Sequence, residues 1–416
     1  MVTAINEVPV STFQDKHVLV RVDFNVPMSD DGHVTSTHRI VECLPTIDYL
    51  LQAGARQVIL LSHFGRPKGE FKPEFTLEPV AKALQGELQA HDCAVKSVGF
   101  QSQINEDAVR QFLANTPERI VLLENTRFYP GEEKNDPALS QFFATLGDCY
   151  VNDAFGSSHR AHASTEGITG HLPQCYAGLL MKKELDYLSM VLKNPDRPYV
   201  AIIGGSKVST KIAVLENLCK VVDTLVIGGA MVFTFLKARG YEVGKSLYEP
   251  DYIETAKNIE AMAASLGKTL LLPSDIVIAK ACEAGQSTQT VGIEAIAADQ
   301  MGLDVGEKSG QEIQAVLSNA KCVLWNGPLG VFEIPDFANG TTLTAQFIAK
   351  QTHAGKLTSI LGGGDTQAAI SVAGLTNSDF SHVSTGGGAS LEYLEGKVLP
   401  GIKALEERNN LVSVVS

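Results

Sequence analysis

Two glycine triplets near the C-terminus of this 416-residue chain carry its sharpest chemical signal: Leu361-Gly362-Gly363-Gly364-Asp365-Thr366 and Ser384-Thr385-Gly386-Gly387-Gly388-Ala389-Ser390. Each follows an apolar run that reads as a strand, over 357–361 and 382–384, and precedes a helix-like stretch. Glycines let unpaired backbone N–H groups approach an anion, and the helix dipole adds about half a positive charge there. Asp365 then stands where a phosphate-bound Mg2+ would take an oxygen ligand. A single triplet could be only a tight turn; two at strand ends point to phosphate chemistry.

The first half gathers cations at strand ends: Arg21-Val22-Asp23-Phe24-Asn25-Val26-Pro27, then Arg39, His63-Phe64-Gly65-Arg66-Pro67, Arg127 and His159-Arg160-Ala161-His162. Ligands of an open α/β sheet sit beyond the carboxyl ends of its strands, so these groups should converge. Guanidinium forks bind phosphate and carboxylate alike, and a small acidic substrate is indicated. The histidines lack the i, i+4 spacing and the H-E-x-x-H pattern of a metal site.

The second half places Gly204-Gly205-Ser206-Lys207-Val208-Ser209-Thr210-Lys211 directly after a strand. A helix starting near Ser206 would put Lys207 and Lys211 one turn apart, both within reach of a polyphosphate. The spacing is not that of a P-loop, and neither triplet completes a dinucleotide fingerprint. Gly228-Gly229-Ala230-Met231-Val232-Phe233 and Trp325-Asn326-Gly327-Pro328-Leu329-Gly330-Val331-Phe332-Glu333 follow two further strands. Phe233, Leu303 or Val331 could line a slot for a base, and Glu333 could accept from ribose hydroxyls.

The elements that must position these groups alternate along the chain. Strands are expected over 17–26, 57–62, 119–124 and 149–154, with helices over 39–51 and 136–146; a second series of strands covers 199–205, 223–229, 269–272, 322–326 and 357–361. Nearly continuous apolar strands mean mainly parallel sheets covered by helices on both faces. An amphipathic stretch over 181–192 and the turn Lys193-Asn194-Pro195-Asp196-Arg197-Pro198 read as a connecting helix and hinge between two domains.

Composition bounds the rest. The 34 basic and 47 acidic side chains leave a formal charge of −13, which disfavours a general grip on nucleic acid. No apolar run is long enough to span a membrane, and the N-terminus lacks the pattern of a secretory signal, so a cytoplasmic protein is expected. Seven scattered cysteines without a C-x-x-C pair suggest neither a disulfide frame nor zinc.

Taken together, these segments resemble phosphoglycerate kinases, and the resemblance covers essentially the whole chain. It rests on the motifs already quoted, on Leu123-Glu124-Asn125-Thr126-Arg127-Phe128, and on the stretches 152–164 and 383–397. The resemblance implies an α/β monomer of two doubly wound, Rossmann-like domains: residues 1–184 with the tail 404–416 packed back on them, a connecting helix and hinge over 185–198, and residues 199–403. The first domain would bind 3-phosphoglycerate or 1,3-bisphosphoglycerate and the second MgADP or MgATP. Carried over by motif, Asp23, Phe24, Asn25, Arg39, His63, Phe64, Gly65, Arg66, Arg127 and Arg160 would surround the glycerate substrate. Lys211, Gly302, Glu333, Gly363, Gly364, Asp365 and Thr366 would form the nucleotide site, with Asp365 on Mg2+. Arg39, Lys207, Gly363 and Gly386 would act on the phosphoryl group in transfer. Phe64 stands where leucine is familiar, Ala230 replaces a glycine, and Ser157-Ser158 replaces Thr-Ala.

Two other readings share part of this logic. Another carboxylate kinase would not need His63-x-x-Arg66 paired with Arg160, and a non-catalytic nucleotide-binding scaffold would not need every charged position filled. The expected anion-binding arginines precede the Pro195-to-Pro198 turn and Lys207, Lys211 and Asp365 follow it, so the reaction implied by the resemblance requires the two halves to close. Small-angle scattering should give a smaller radius of gyration with 3-phosphoglycerate and MgADP together than with either alone; identical curves beside normal turnover would refute closure.

Overall fold

The computed structural model describes residues 2–415, and side chains as far as residue 408. The chain divides into two compact units: one runs to Leu185 and resumes at Val398, and the other spans Asp186–Lys397. The return at Val398 lies upstream of the tail expected from residue 404, because the Gly401 N–H already donates to the Ser158 carbonyl (2.9 Å) of the first unit. Among the described residues no helix is long and apolar enough to cross a membrane.

The first unit holds a six-stranded parallel sheet of β1 (His17–Arg21), β2 (Gln57–Leu61), β3 (Gly99–Gln101), β4 (Ile120–Leu123), β5 (Cys149–Asn152) and β6 (Cys175–Ala177). Their order is β3-β4-β2-β1-β5-β6. β2, β4 and β5 are buried at every position, as expected for strands covered on both faces. The helix His38–Gln52 explains how one face is covered: Ile40, Leu44, Ile47 and Leu51 recur at helical spacing and are all buried. In the register, Arg21 faces Leu61 of β2 and Asn152 of β5, so the three strands end together and their following loops meet. The sequence reads β1 as continuing to residue 26, but the chain leaves the sheet after Arg21. The Asn25 N–H turns back to Asp23 Oδ1 (3.2 Å) and the Val26 N–H to the Phe24 carbonyl (2.8 Å), which fits a turn and not a ladder.

The second unit has a six-stranded parallel sheet of β7 (Tyr199–Ile203), β8 (Thr224–Ile227), β9 (Thr269–Leu271), β13 (Cys322–Asn326), β14 (Thr358–Gly362) and β15 (His382–Val383), in the order β15-β14-β13-β7-β8-β9. Between β9 and β13 the chain adds an antiparallel sheet not expected from the sequence, made of β10 (Asp275–Ala279), β11 (Gln289–Gly292) and β12 (Met301–Val305). The helix Leu179–Lys193 carries the chain from one unit to the next.

In both six-stranded sheets the chain first builds outward on one side of a central strand and then crosses to the other. The switch lies between β1 and β5 in the first unit and between β7 and β13 in the second. A crevice beyond the carboxyl ends of the strands opens at such a point. In the second unit its floor is closely packed: a methyl group on Gly204 would lie 2.0 Å from the Pro328 carbonyl oxygen and 2.5 Å from that of Gly327.

Gly204→Ala should therefore destabilise this unit by about 3 kcal/mol or more, since backbone on both sides must move. Gly310→Ala provides the contrast. It lies in the helix Glu307–Asn319 with open space at its Cβ position and should stabilise by ~0.5–1 kcal/mol. Urea unfolding followed by fluorescence of the single, fully buried tryptophan, Trp325, measures both.

Candidate active site

In the first unit the loops after β1, β2, β4 and β5 build a polar cluster on a well-fastened scaffold. Asn125 ties two loops together, accepting from the Phe64 N–H (3.0 Å) and donating to the Phe64 carbonyl (2.7 Å). Asn25 Oδ1 accepts from the Gly65 N–H (3.0 Å), and Arg127 Nη1 donates to the Gly65 carbonyl (2.6 Å). Asp23 accepts from Arg39 Nη1 (2.9 Å) and from Ser157 Oγ (3.3 Å). Arg160 Nε donates to His159 Nε2 (3.1 Å), and Arg66 is exposed.

The electrostatics are those of an anion site. Arg39 sits in the first turn of its helix, where the dipole disfavours a cation, and Asp23 offsets that cost. Burial works against the Asp23 carboxylate, yet Arg39, His63 and Arg21 outweigh it and hold its pKa down at about 2. Burial and then the Arg21, Arg127 and Arg39 charges press His63 well below its ordinary value, against the pull of Asp23. His162 falls to about 3, through burial and then Arg21, Arg127 and Arg160. Both imidazoles are neutral at neutral pH, and the guanidinium groups supply the positive charge.

In the second unit a cavity of about 610 Å3 opens beside the switch point. Phe233, Leu303, Val331 and Ala230 line it, together with Gly302, Glu333 and Asp365. The ring of Phe233 lies against Gly302, so that a methyl group there would come within 2.1 Å of its edge. Lys211 Nζ donates to Asn326 Oδ1 (2.5 Å), across the switch from the segment after β7 to the last residue of β13. Burial lowers the Lys211 ammonium, with Asp365 and Glu395 countering it.

The expected helix at Ser206 does not form there. Lys207 is extended, residues Val208–Thr210 make a 3-10 turn, and the α-helix begins at Ile212. Ser209 explains the delay: its N–H (3.0 Å) and hydroxyl (2.5 Å) both donate to Glu249, which pins the turn before the helix can start. Lys207 and Lys211 thus flank a turn and do not share a helical face.

The first glycine triplet does open a helix, Gly364–Val372, and Gly363 before it has φ +93°, a value that favours glycine. The N–H groups of Gly364, Asp365 and Thr366 occupy the first turn, where the helix offers them no partner. The Thr366 hydroxyl is used internally, accepting from the Gly327 N–H and donating to the Gly362 carbonyl (both 2.7 Å). Asn326 Nδ2 is buried without a partner, and it lies where methyl groups on Gly362 or Gly363 would meet it. The second triplet opens the helix Gly388–Leu394, with the Gly386 N–H donating to Ser384 Oγ (3.1 Å).

These donors suit a phosphate chain, and the acceptors suit a metal bound with it. Among the described residues no three His, Cys, Asp or Glu side chains gather as a protein-only metal site. Asp365 offers one carboxylate beside the amides, the donor set of a Mg2+ ion held mainly by substrate phosphates.

A sequence profile of the phosphoglycerate kinase family matches residues 8–397. The chain belongs to that family. It is 50% identical over 392 residues to the phosphoglycerate kinase of Prosthecochloris aestuarii, covering 94% of this chain and 97% of that one. The enzyme of Thermosipho africanus is 51% identical over 398 residues, covering 95% and 96%. Among solved structures, phosphoglycerate kinase from Coxiella burnetii matches with a TM-score of 0.87 at 40% identity, over 98% of this chain and all of that one. The Pyrococcus horikoshii enzyme matches with 0.80 at 27% identity, over 98% and 99%. The phosphoglycerate kinase reaction is a reversible phosphoryl transfer between 1,3-bisphosphoglycerate and ADP that yields 3-phosphoglycerate and ATP in glycolysis, and this chain is a phosphotransferase of that kind.

Several residues of the second unit's cavity are not apparent from the sequence. Lys245, Leu247, Ile276, Cys282, Met301 and Asp304 line the cavity but come from the antiparallel sheet and the segments around it. Their one sequence signal is the pair of short apolar runs at β10 and β12. Asp304 is buried, accepting from the N–H groups of Val305 (2.9 Å) and Gly340 (2.8 Å), and burial raises its pKa to about 7 despite those bonds.

Asp304 binds a proton more tightly folded than unfolded, so its contribution to stability is full below about pH 4 and declines as the pH rises toward about 7. The stability of the native protein relative to Asp304→Asn should fall as the pH rises across that interval. Urea midpoints of both proteins at matched pH measure it, and parallel curves would refute a raised Asp304 pKa.

Proposed function

We propose that the cluster of the first unit binds 3-phosphoglycerate and 1,3-bisphosphoglycerate and that the cavity of the second binds ADP and ATP, with Mg2+ held by Asp365 and the nucleotide phosphates. The observation that carries this reading is the concentration of Arg39, Arg66, Arg127 and Arg160, with His63 among them, on a helix start and on loops fastened to one another, in a protein of net charge −13. Such a cluster is retained against the mutual repulsion of its members only if an anion relieves it.

In this reading Asp23 and Asn25 orient the glycerate through its hydroxyl, while backbone at Phe24, Phe64 and Gly65 shapes the pocket. Arg66, Arg127 and Arg160 hold the phosphate, and Arg39 and His63 hold the carboxyl end. Phe233, Gly302, Leu303 and Val331 hold the adenine, Glu333 the ribose, and Lys211 with the amides of Gly363, Gly364, Asp365 and Thr366 the phosphates. A divalent cation held there by Asp365 would supply charge neutralisation between ADP and the acyl phosphate.

In the forward direction a β-phosphate oxygen of ADP attacks the acyl phosphorus, and the bond to the carboxyl oxygen breaks, leaving a carboxylate. Both the nucleophile and the leaving group are anions at neutral pH, so no general base is needed. The transferring group spreads negative charge over its equatorial oxygens, and catalysis is mainly positioning and electrostatics. Lys207, extended and exposed on its turn, follows that charge, and Arg39 meets it on the acyl side. The amides at the starts of the helices Gly364–Val372 and Gly388–Leu394 complete the donors. The enzyme acts as a cytoplasmic monomer without nucleic-acid or membrane partners.

The test is the coupled assay, with 3-phosphoglycerate and MgATP as substrates and reduction of the acyl phosphate as the readout. Lys207→Ala should lower kcat roughly 100-fold or more and leave the nucleotide KM nearly unchanged, the pattern for a charge used only in the transition state. A near-normal kcat would remove Lys207 from the mechanism.

A further inference from the structure

Arg21 takes no direct part in the mechanism above, yet it is fully buried at the centre of the first unit's cluster. Its three nitrogens have distinct partners. Nε donates to Ser164 Oγ (2.8 Å), Nη1 to the Val22 carbonyl, and Nη2 lies 3.1 Å from His63 Nδ1. Ser164 is held in turn by the buried Glu132, donating its hydroxyl to Oε1 (2.5 Å) and its N–H to Oε2 (3.0 Å). The serine hydroxyl has one proton. Because it goes to Glu132, the oxygen is left to accept from Arg21, and the chain of bonds has a single direction from arginine to carboxylate.

The contact with His63 is decided by the same accounting. A guanidinium has only donors and does not lose its proton, so the imidazole nitrogen facing it must accept. A proton on Nδ1 would set two donors against each other at 3.1 Å inside a buried site. The ring is only 7% exposed and cannot exchange this partner for bulk water. Of the other charges acting on it, Asp23 favours a second proton, whereas Arg39 and Arg127 oppose it in company with Arg21.

We propose that Arg21 is a positioning residue for the reaction: donating to His63 Nδ1, it holds the imidazole neutral with its proton on Nε2, so that His63 meets the glycerate substrate as an Nε2–H donor. The Glu132–Ser164 pair fixes Arg21 in that pose. The inference rests on the reading of this cluster as the phosphoglycerate site. The arrangement gives the pocket a hydrogen-bond donor that does not switch with pH where an ordinary histidine would titrate.

Long-range 1H–15N correlation spectra of the full-length, 15N-labelled protein test this without a substrate. His63 signals, assigned through their loss in His63→Gln, should show a protonated Nε2 and a bare Nδ1, unchanged from about pH 5.5 to 8.5. A proton on Nδ1, or titration near the ordinary value, overturns the proposal. Saturating 3-phosphoglycerate should then shift the Nε2 signal. The expected tautomer with no such shift overturns the substrate role and the site reading beneath it, and leaves Arg21 as a tautomer lock alone. Arg21→Met should restore titration of His63 and raise the 3-phosphoglycerate KM roughly 10-fold or more, while the nucleotide KM holds. Ser164→Ala loosens the same arginine without removing a charge and should shift both readouts in the same direction, which keeps the test open if Arg21→Met does not fold. Wild-type titration behaviour and KM in both variants overturn the proposal.

Discussion

A parallel sheet covered on both faces can present polar groups at its ends but not along its length, and this constraint shapes both units. Every position of β2, β4, β5, β7 and β13 is buried, so those strands carry mainly packing side chains, with polar groups such as Asn326 at their ends. Chemistry is pushed into the loops that follow them. Because neighbouring strands run the same way, their loops emerge at one edge, and the switch in chain order keeps two of them from being bridged by a helix. The arginines of the first unit and the glycine turns of the second occupy equivalent places for this reason.

Within that frame the two units answer different charge problems. The first concentrates guanidinium groups and compensates them sparingly, with Asp23 on Arg39 and Glu132 behind Arg21 through Ser164. Burial and those cations lower the pKa of His63 and His162, so the positive charge of the site comes from arginine. The second unit instead gathers backbone donors: helix-start amides, with one lysine tethered to Asn326 and the Asp365 carboxylate beside them. An apolar slot lies beside them, and its walls come from loops of the main sheet and from the small antiparallel sheet.

Particular residues show how far the amino-acid order reaches. The apolar spacing of Ile40, Leu44, Ile47 and Leu51 foretells a helix and its buried face, and the runs at β2, β4, β5, β7 and β13 foretell two parallel sheets, because burial on both faces leaves a continuous apolar signature. The glycine triplets foretell helix starts, since bare backbone there has few other uses. The antiparallel sheet was not legible: β11 is largely exposed, and its alternation is too short to separate from loop. Nor was the start of the helix after Lys207, which depends on Ser209 reaching Glu249, forty residues away.

By itself, then, the sequence determined residue types and local periodicity: two α/β halves, arginines and glycines at strand ends, and the motifs that mark the family. Only the tertiary structure decided which groups are free to act. Thr366 and Gly386 spend a hydroxyl and an amide on internal bonds, Asn326 keeps an unpartnered amide near Gly363, and Arg21 is turned inward to a histidine forty-two positions away. The reason is physical: a hydrogen bond is made or withheld over about 3 Å, and that distance between remote residues is set by packing, which local sequence does not encode.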